Sequence, residues 1–120
     1  MKIKIEVVPQ KEIRFNDVGD YYYKHDGTLL IRVADTGNSI YTRIVLIHEI
    51  IEQLLTEAKG ITIEEVDEFD RTADKELTSD SPQCPHSKEH SLATAVERIL
   101  CAYLGIPWQT YDNFVSSLQD

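Results

Sequence analysis

The spacing of apolar residues changes once along this chain, and that change limits the folds available to it. Ile3, Ile5 and Val7 alternate with charged residues, a period of two that predicts a strand with one buried face. After residue 38 the apolar residues recur instead at spacings of three and four, the pattern of a helix that buries one side. Strands followed by helices predict the α+β class.

Two further segments of the N-terminal part are rich in strand-forming residues. They are residues 21–23 and 28–33, and Asp26-Gly27 between them is a strong turn signal. The two segments therefore predict a β-hairpin. Together with the first strand they indicate a small, mostly antiparallel sheet of about three strands, packed on the C-terminal helical part.

The first predicted helix begins near residue 40 and ends at Gly60. Asn38 or Ser39 can cap its start, and glycine suits the left-handed position just past its end. We expect its apolar stripe to be the buried side. The stripe consists of Ile40, Ile44, Ile47, Ile51, Leu54, Leu55 and Ala58.

Three more helices are expected. Thr62 and Glu65 form a capping box that opens an acidic second helix, which runs to about Phe69 or beyond. Residues 78–85 contain two prolines and predict a loop. A third helix begins near Ser87 and stops at 104–107, and a last short helix carries Trp108 and Tyr111 as packing residues.

The composition is that of one domain spanning residues 1–120. The chain is 42% hydrophobic and 28% charged, and its net charge of -9 argues against a nucleic acid or an anionic membrane as partner. The first residues lack the apolar region of a secretion signal and no apolar run reaches spanning length, so a cytoplasmic protein is expected. The two cysteines, Cys84 and Cys101, predict reduced thiols and no disulfide scaffold.

The main candidate site is the helical pentapeptide from His48 to Glu52. Residues four apart lie about 6 Å from each other on one helix face, so these two can share a divalent metal. The centre of the apolar stripe, between Ile47 and Ile51, places the pair at the edge of the buried side, where an imidazole and a carboxylate need a partner. Glu49 projects in the direction of the general base in the zinc motif His-Glu-x-x-His.

Glu52 stands where that motif has its second histidine. Carboxylates bind zinc readily, so coordination survives the difference. An anionic ligand lowers the net charge on the metal and weakens its hold on a water proton. The pentapeptide therefore predicts metal binding more strongly than catalysis.

A third ligand is expected because catalytic zinc sites use three protein ligands and one open position. His86 and His90 lie four residues apart at the start of the third helix. Antiparallel packing of that helix on the first would bring His90 opposite His48 and Glu52, whereas a solvated ring is expected for His86. Two turns later, Glu97 can accept a proton from a ligand imidazole or form a plain salt bridge.

The resulting ligand prediction is His48, Glu52 and His90, with zinc as the metal and nickel, cobalt or manganese as other candidates. Glu49 is the predicted catalytic residue. The acidic second helix lacks the ligand pattern of a calcium-binding loop and is expected to be solvated. Asp67 or Asp70 of that helix can nevertheless face the site.

Three functions fit these residues. The first is a zinc-dependent hydrolase that acts on a peptide or protein substrate, with Glu49 as general base. The second is a non-catalytic protein in which Cys84, His86 and His90 join His48 in a closed structural site. The third is a metal-free acidic module that binds a basic partner. The hydrolase is preferred, because the third function leaves the clustered histidines unexplained and the second matches no common zinc spacing.

The same segments carry a family resemblance that extends over residues 40–111. The chain resembles small proteins of phage and prophage type, and it looks like a minimal, zincin-like metallopeptidase. The resemblance implies that His48, Glu52 and His90 are ligands, that Glu49 is the base, and that one strand lines the cleft and accepts an extended peptide. It is carried by His48-Glu49-Ile50-Ile51-Glu52, Gly60-Ile61-Thr62, Pro85-His86-Ser87-Lys88-Glu89-His90 and Leu104-Gly105-Ile106-Pro107-Trp108.

Overall fold

The computed structural model describes residues 1–72 and 79–119, which form a three-stranded sheet and four α-helices. The α+β class, with the sheet before the helices, is confirmed. The predicted loop at 78–85 begins at Thr78, which lies outside the described residues, and residues 79–86 form turns. The strands are β1 (Ile3–Val8), β2 (Gly19–Tyr23) and β3 (Leu29–Ala34); the helices are α1 (Ser39–Ala58), α2 (Ile63–Thr72), α3 (Ser87–Leu104) and α4 (Trp108–Ser116).

β3 lies in the middle of the sheet, between β1 and β2. β2 and β3 form the predicted hairpin, and Gly27 in their turn has a φ of 86°, which glycine adopts without strain. β1 runs parallel to β3, with Ile5 opposite Ile31. The prediction of a mostly antiparallel sheet is therefore wrong for β1. β2, the other strand of the hairpin, occupies one side of β3. β1 pairs with the opposite side of β3 and runs parallel to it.

α1 does not bury the apolar stripe that its sequence predicts. Ile44 of that stripe is buried, but Ile40 and Leu54 are 42% and 60% exposed. The prediction failed because apolar spacing identifies a helix without fixing its rotation, and here polar contacts from β2 and α3 set the rotation. The buried residues of α1 are Thr42, Ile44, Val45, His48, Glu49, Glu52, Gln53 and Thr56.

The apolar core has two parts. A smaller cluster of Tyr21, Leu29 and Ile31 packs against Leu46, so α1 covers the sheet face formed by these residues. The larger cluster lies where β3, α1, α3 and α4 meet, and Cys101 within it is a free, buried thiol, as expected. Its buried members are Ile13, Val18, Val33, Ala34, Ile44, Val45, Cys101 and Tyr111.

The helix ends follow the local sequence signals. Of the two predicted caps of α1, Asn38 is the one used, since its side chain accepts hydrogen bonds from two backbone N–H groups of the first turn. Thr62 and Glu65 form the capping box of α2. Gly60 and Gly105 have φ values of 76° and 73° after α1 and at the end of α3. Within the described ranges, no helix combines the length and the apolar character needed to cross a bilayer.

Candidate metal centre

α1 and α3 bring together residues that are distant in the chain. His48 and Glu52 lie one turn apart on the buried side of α1, and His90 lies in the first turn of α3. His48 contacts Glu97, while Glu52 contacts His90. The order of these contacts means that the two helices run antiparallel, as the sequence predicts.

Three side-chain atoms converge at the centre of this arrangement. His48, Glu52 and His90 each offer one donor atom, and these atoms lie within 4.8 Å of one another. Glu52 Oε2 is 3.1 Å from His48 Nε2 and 3.0 Å from His90 Nδ1. Donors bound to a tetrahedral zinc ion at about 2.0–2.1 Å are about 3.3 Å apart. Two of the separations are thus already close to those of a zinc site.

Several hydrogen-bond donors hold Glu52 in its ionised form. Tyr21 OH donates a hydrogen bond of 2.9 Å to Oε1, while the two histidines contact Oε2. Burial alone would raise the pKa of Glu52, but the hydrogen bonds from His48 and His90 outweigh it and hold that pKa well below its usual value. The carboxylate, the form that binds metal, is therefore the stable form here.

Glu97 fixes the orientation of the His48 ring. One of its oxygens contacts His48 Nδ1, and the other accepts a hydrogen bond of 2.5 Å from Tyr111 OH. A ring held at Nδ1 by a carboxylate presents Nε2 to the other donors, an arrangement common among metal-binding histidines. Of the two contacts predicted for Glu97, an imidazole or a plain salt bridge, the structure shows the one with an imidazole. Burial favours the neutral ring, but hydrogen bonds to Glu52 and Glu97 outweigh it and raise the pKa of His48 to about 11.

His86 lies on the other side of Glu52. Its Nε2 is 3.4 Å from Glu52 Oε1 and the residue is 1% exposed, so the expectation of a solvated ring is wrong. The ring fills the space between Glu52 and Cys84, whose Sγ is 3.2 Å from Nδ1. Burial lowers the pKa of His86 and raises that of Cys84 to about 11, which keeps the ring neutral and the thiol protonated. Neither residue belongs to the group of three converging donors.

Glu49 of α1 lies against β2. A Cβ atom on Gly19 would be 2.5 Å from Glu49 Oε1, so this close approach requires the glycine. Burial, followed by the charge of Glu52, raises the pKa of Glu49 well above its ordinary value, although His48 lowers it. A buried carboxyl group with a raised pKa is suited to proton transfer at physiological pH.

A pocket of about 680 Å³ opens onto these residues. Burial, and then the charges of Asp17 and Glu52, raises the pKa of Asp70 to about 7. Arg14 balances part of the negative charge, because it donates hydrogen bonds to Asp20 and Asp67. Both Asp67 and Asp70 of α2 line the pocket, as the sequence allowed. The other aspartates in the lining are Asp17, Asp20, Asp80 and Asp112.

The sequence alone does not predict the contacts that Gly19, Tyr21 and Tyr111 make in the site. It indicates a strand for Tyr21, packing for Tyr111 and no role for Gly19. Tyr21 precedes Glu52 by 31 residues, so its contact exists only in the folded chain. The period of two in the hairpin was an available signal, because it places Tyr21 on the same sheet face as Leu29 and Ile31.

In comparisons with known proteins, no family model, no curated protein and no solved structure matches this chain. What the site does is therefore inferred from the geometry of His48, Glu49, Glu52 and His90.

Proposed function

We propose that His48, Glu52 and His90 bind a divalent metal ion, with zinc as the first candidate, and that the protein is a metal-dependent hydrolase of peptide bonds. The convergence of their three donor atoms within 4.8 Å carries this proposal. Two imidazole nitrogens and one carboxylate oxygen form a donor set of catalytic zinc sites, which leaves a fourth position open. The resemblance of the pentapeptide to the zincin motif supports it, and we extend the proposal to a zincin-like fold.

The residues around the three proposed ligands have two roles: they orient a ligand side chain and transfer a proton. Glu97 holds the His48 ring at Nδ1 and would thereby keep Nε2 available to a bound ion. Zinc held by His48, Glu52 and His90 would supply a Lewis acid that polarises a carbonyl and lowers the pKa of bound water to about 7. Glu49 in its carboxylate form would accept a proton from the attacking water and return it to the leaving nitrogen.

The pocket favours a basic, extended peptide as substrate. Among the described residues β2 lies at an edge of the sheet, and Gly19 and Tyr21 on it line the pocket with their backbone groups facing away from β3. Apart from Tyr21 O, which accepts a hydrogen bond from Arg14, these groups could pair with an incoming strand. Among the described residues, nine Asp and Glu side chains and a single Arg or Lys side chain, Arg14, line the pocket, so the lining carries more negative than positive charge. Lysine or arginine side chains would supply the missing positive charge.

A closed structural zinc site is the second candidate, because one observation favours it. Buried His86 lies 3.4 Å from Glu52, and the buried thiol of Cys84 contacts the other ring nitrogen of His86. If a movement brought Cys84 Sγ to a bound zinc ion, the sulfur would occupy the fourth coordination position. Water could then no longer bind there, and catalysis would be prevented.

Metal analysis of purified variants tests both proposals. His48→Ala, Glu52→Ala and His90→Ala should each lose bound zinc, whereas His25→Ala, at an exposed turn position, should retain it. Glu49→Gln should keep full zinc content and lose cleavage of a basic peptide. Full zinc content in all three ligand variants would refute the site, and release of zinc by Cys84→Ser would favour the structural alternative.

A further inference from the structure

β1 lies at one edge of the sheet. Among the residues that the structure describes, β1 pairs only with β3, so its outer edge has no strand partner there. The backbone N–H of Leu29 donates to Lys2 O at 3.0 Å, and that of Asp35 donates to Val8 O at 2.7 Å. Because successive residues of a strand point their backbone groups in opposite directions, the even-numbered residues of β1 bond to β3 and the odd-numbered ones face outward.

The side chains of those odd-numbered residues form an apolar strip. Ile3, Ile5 and Val7 are 54%, 47% and 54% exposed. Their partners in the register, Leu29 and Ile31, lie on the same sheet face and are only 1% and 2% exposed. The buried face of the sheet thus continues onto β1 without a cover, and contiguous exposed apolar surface of this kind marks interaction sites.

We propose that a second copy of this chain covers the strip, by antiparallel pairing of β1 with β1 about a two-fold axis at Ile5. In this register Ile3 pairs with Val7 of the second copy and Ile5 with its own counterpart. All of these are odd-numbered residues, whose backbone groups are the free ones. The two three-stranded sheets become one continuous sheet, and the apolar strips of both copies lie side by side.

The charges on β1 select this register over its neighbours. With the axis at Ile5, Lys4 lies directly opposite Glu6 of the second copy, and this attraction occurs twice. An axis at Lys4 would instead face lysine with lysine at the centre of the strand pair and leave Glu6 opposite Lys2, which lies outside β1. An axis at Glu6 would face glutamate with glutamate. Like charges directly opposite each other destabilise a strand pair. Lys2 and Lys4 outweigh Glu6 at this edge, so two copies meet here without the excess of negative charge that a chain of net charge -9 carries as a whole.

Charge reversal at this edge tests the proposal. The protein, without an N-terminal tag, is examined by sedimentation equilibrium up to about 100 µM, where even a weak dimer is populated. Lys4→Glu and Glu6→Lys should each raise the dimer dissociation constant about tenfold or more, since two attractions become repulsions. The double variant Lys4→Glu/Glu6→Lys should restore the dimer, because it reverses both charges of each pair.

Ile99→Ser provides the matched control. Ile99 is 66% exposed on α3, away from β1, and its replacement should leave the dimer intact. Circular dichroism and zinc content should stay unchanged in every variant. A wild-type monomer throughout, a dimer that survives the single reversals, failure of the double variant to restore it, or dissociation by Ile99→Ser would each overturn the proposal.

Discussion

Replacement of Glu97 by glutamine should weaken zinc binding without removing a ligand. The carboxylate contacts His48 Nδ1 and is itself held by Tyr111, and the whole contact is buried. Glutamine has the same shape and can still accept a hydrogen bond from the ring. It lacks the negative charge, however, so the ring is held less firmly and Nε2 becomes a less basic donor.

The expected loss follows from the role of this contact. Removing the carboxylate partner of a metal-binding histidine costs about 10–100-fold in metal affinity, which is about 1.4–2.7 kcal/mol. Loss of a ligand would cost considerably more, so Glu97→Gln should fall between wild type and His48→Ala. Tyr111 should remain buried, because the glutamine amide can still hydrogen-bond its hydroxyl group.

Competition with a chromogenic chelator measures the zinc dissociation constants. Glu64→Gln is the matched control, since it removes the same charge from an exposed position on α2 and should leave affinity unchanged. Equal affinity for wild type and Glu97→Gln would refute the claim that Glu97 orients a metal ligand. An equal loss of zinc affinity in Glu64→Gln would show that the effect comes from the change in net charge.

Three further outcomes are expected. Gly19→Ala places a methyl group 2.5 Å from Glu49 Oε1 and should lower peptide cleavage about 100-fold at unchanged zinc content; equal activity would show that the position of Glu49 is not critical. Tyr21→Phe removes a 2.9 Å hydrogen bond to buried Glu52 and should cost the zinc-free protein about 1–3 kcal/mol in urea unfolding, so an unchanged midpoint would contradict this contact. The pKa of His48 is raised from 6.5 to about 11 in the folded zinc-free protein, so its stabilising effect is complete below pH 6.5 and declines as pH rises toward 11. The stability advantage of wild type over His48→Gln should therefore shrink from pH 6 to pH 10, and an advantage that grows would contradict the shift.

Features that depend on neighbouring residues could be predicted from the sequence. The Asp26-Gly27 turn, the Asn38 cap and the Thr62 capping box each require contacts within a few positions, and all three are present. The spacing of His48 and Glu52 belongs to the same class, because a helix alone fixes the distance between them. His90 required one assumption about packing, that α3 runs antiparallel to α1, and this assumption was correct.

Features that depend on competition between distant segments could not be predicted. The apolar spacing in α1 suggested that Ile40 and Leu54 were buried, yet the helix turns His48 and Glu52 inward. The residues near His48 and Glu52 in the sequence do not indicate that β2 and α3 supply the partners of these polar groups. The parallel direction of β1 was hidden for a similar reason, since it depends on which side of β3 the hairpin leaves free.

X-ray absorption at the zinc edge tests the metal centre most directly, because it reports the atoms bound to the ion. The protein loaded with one equivalent of zinc should show nitrogen and oxygen neighbours at about 2.0–2.1 Å, with the scattering pattern of two imidazole rings, from His48 and His90. A sulfur neighbour at about 2.3 Å would place Cys84 on the ion and contradict the proposed ligand set. Zinc surrounded only by water oxygens, with no imidazole signal, would contradict the site altogether.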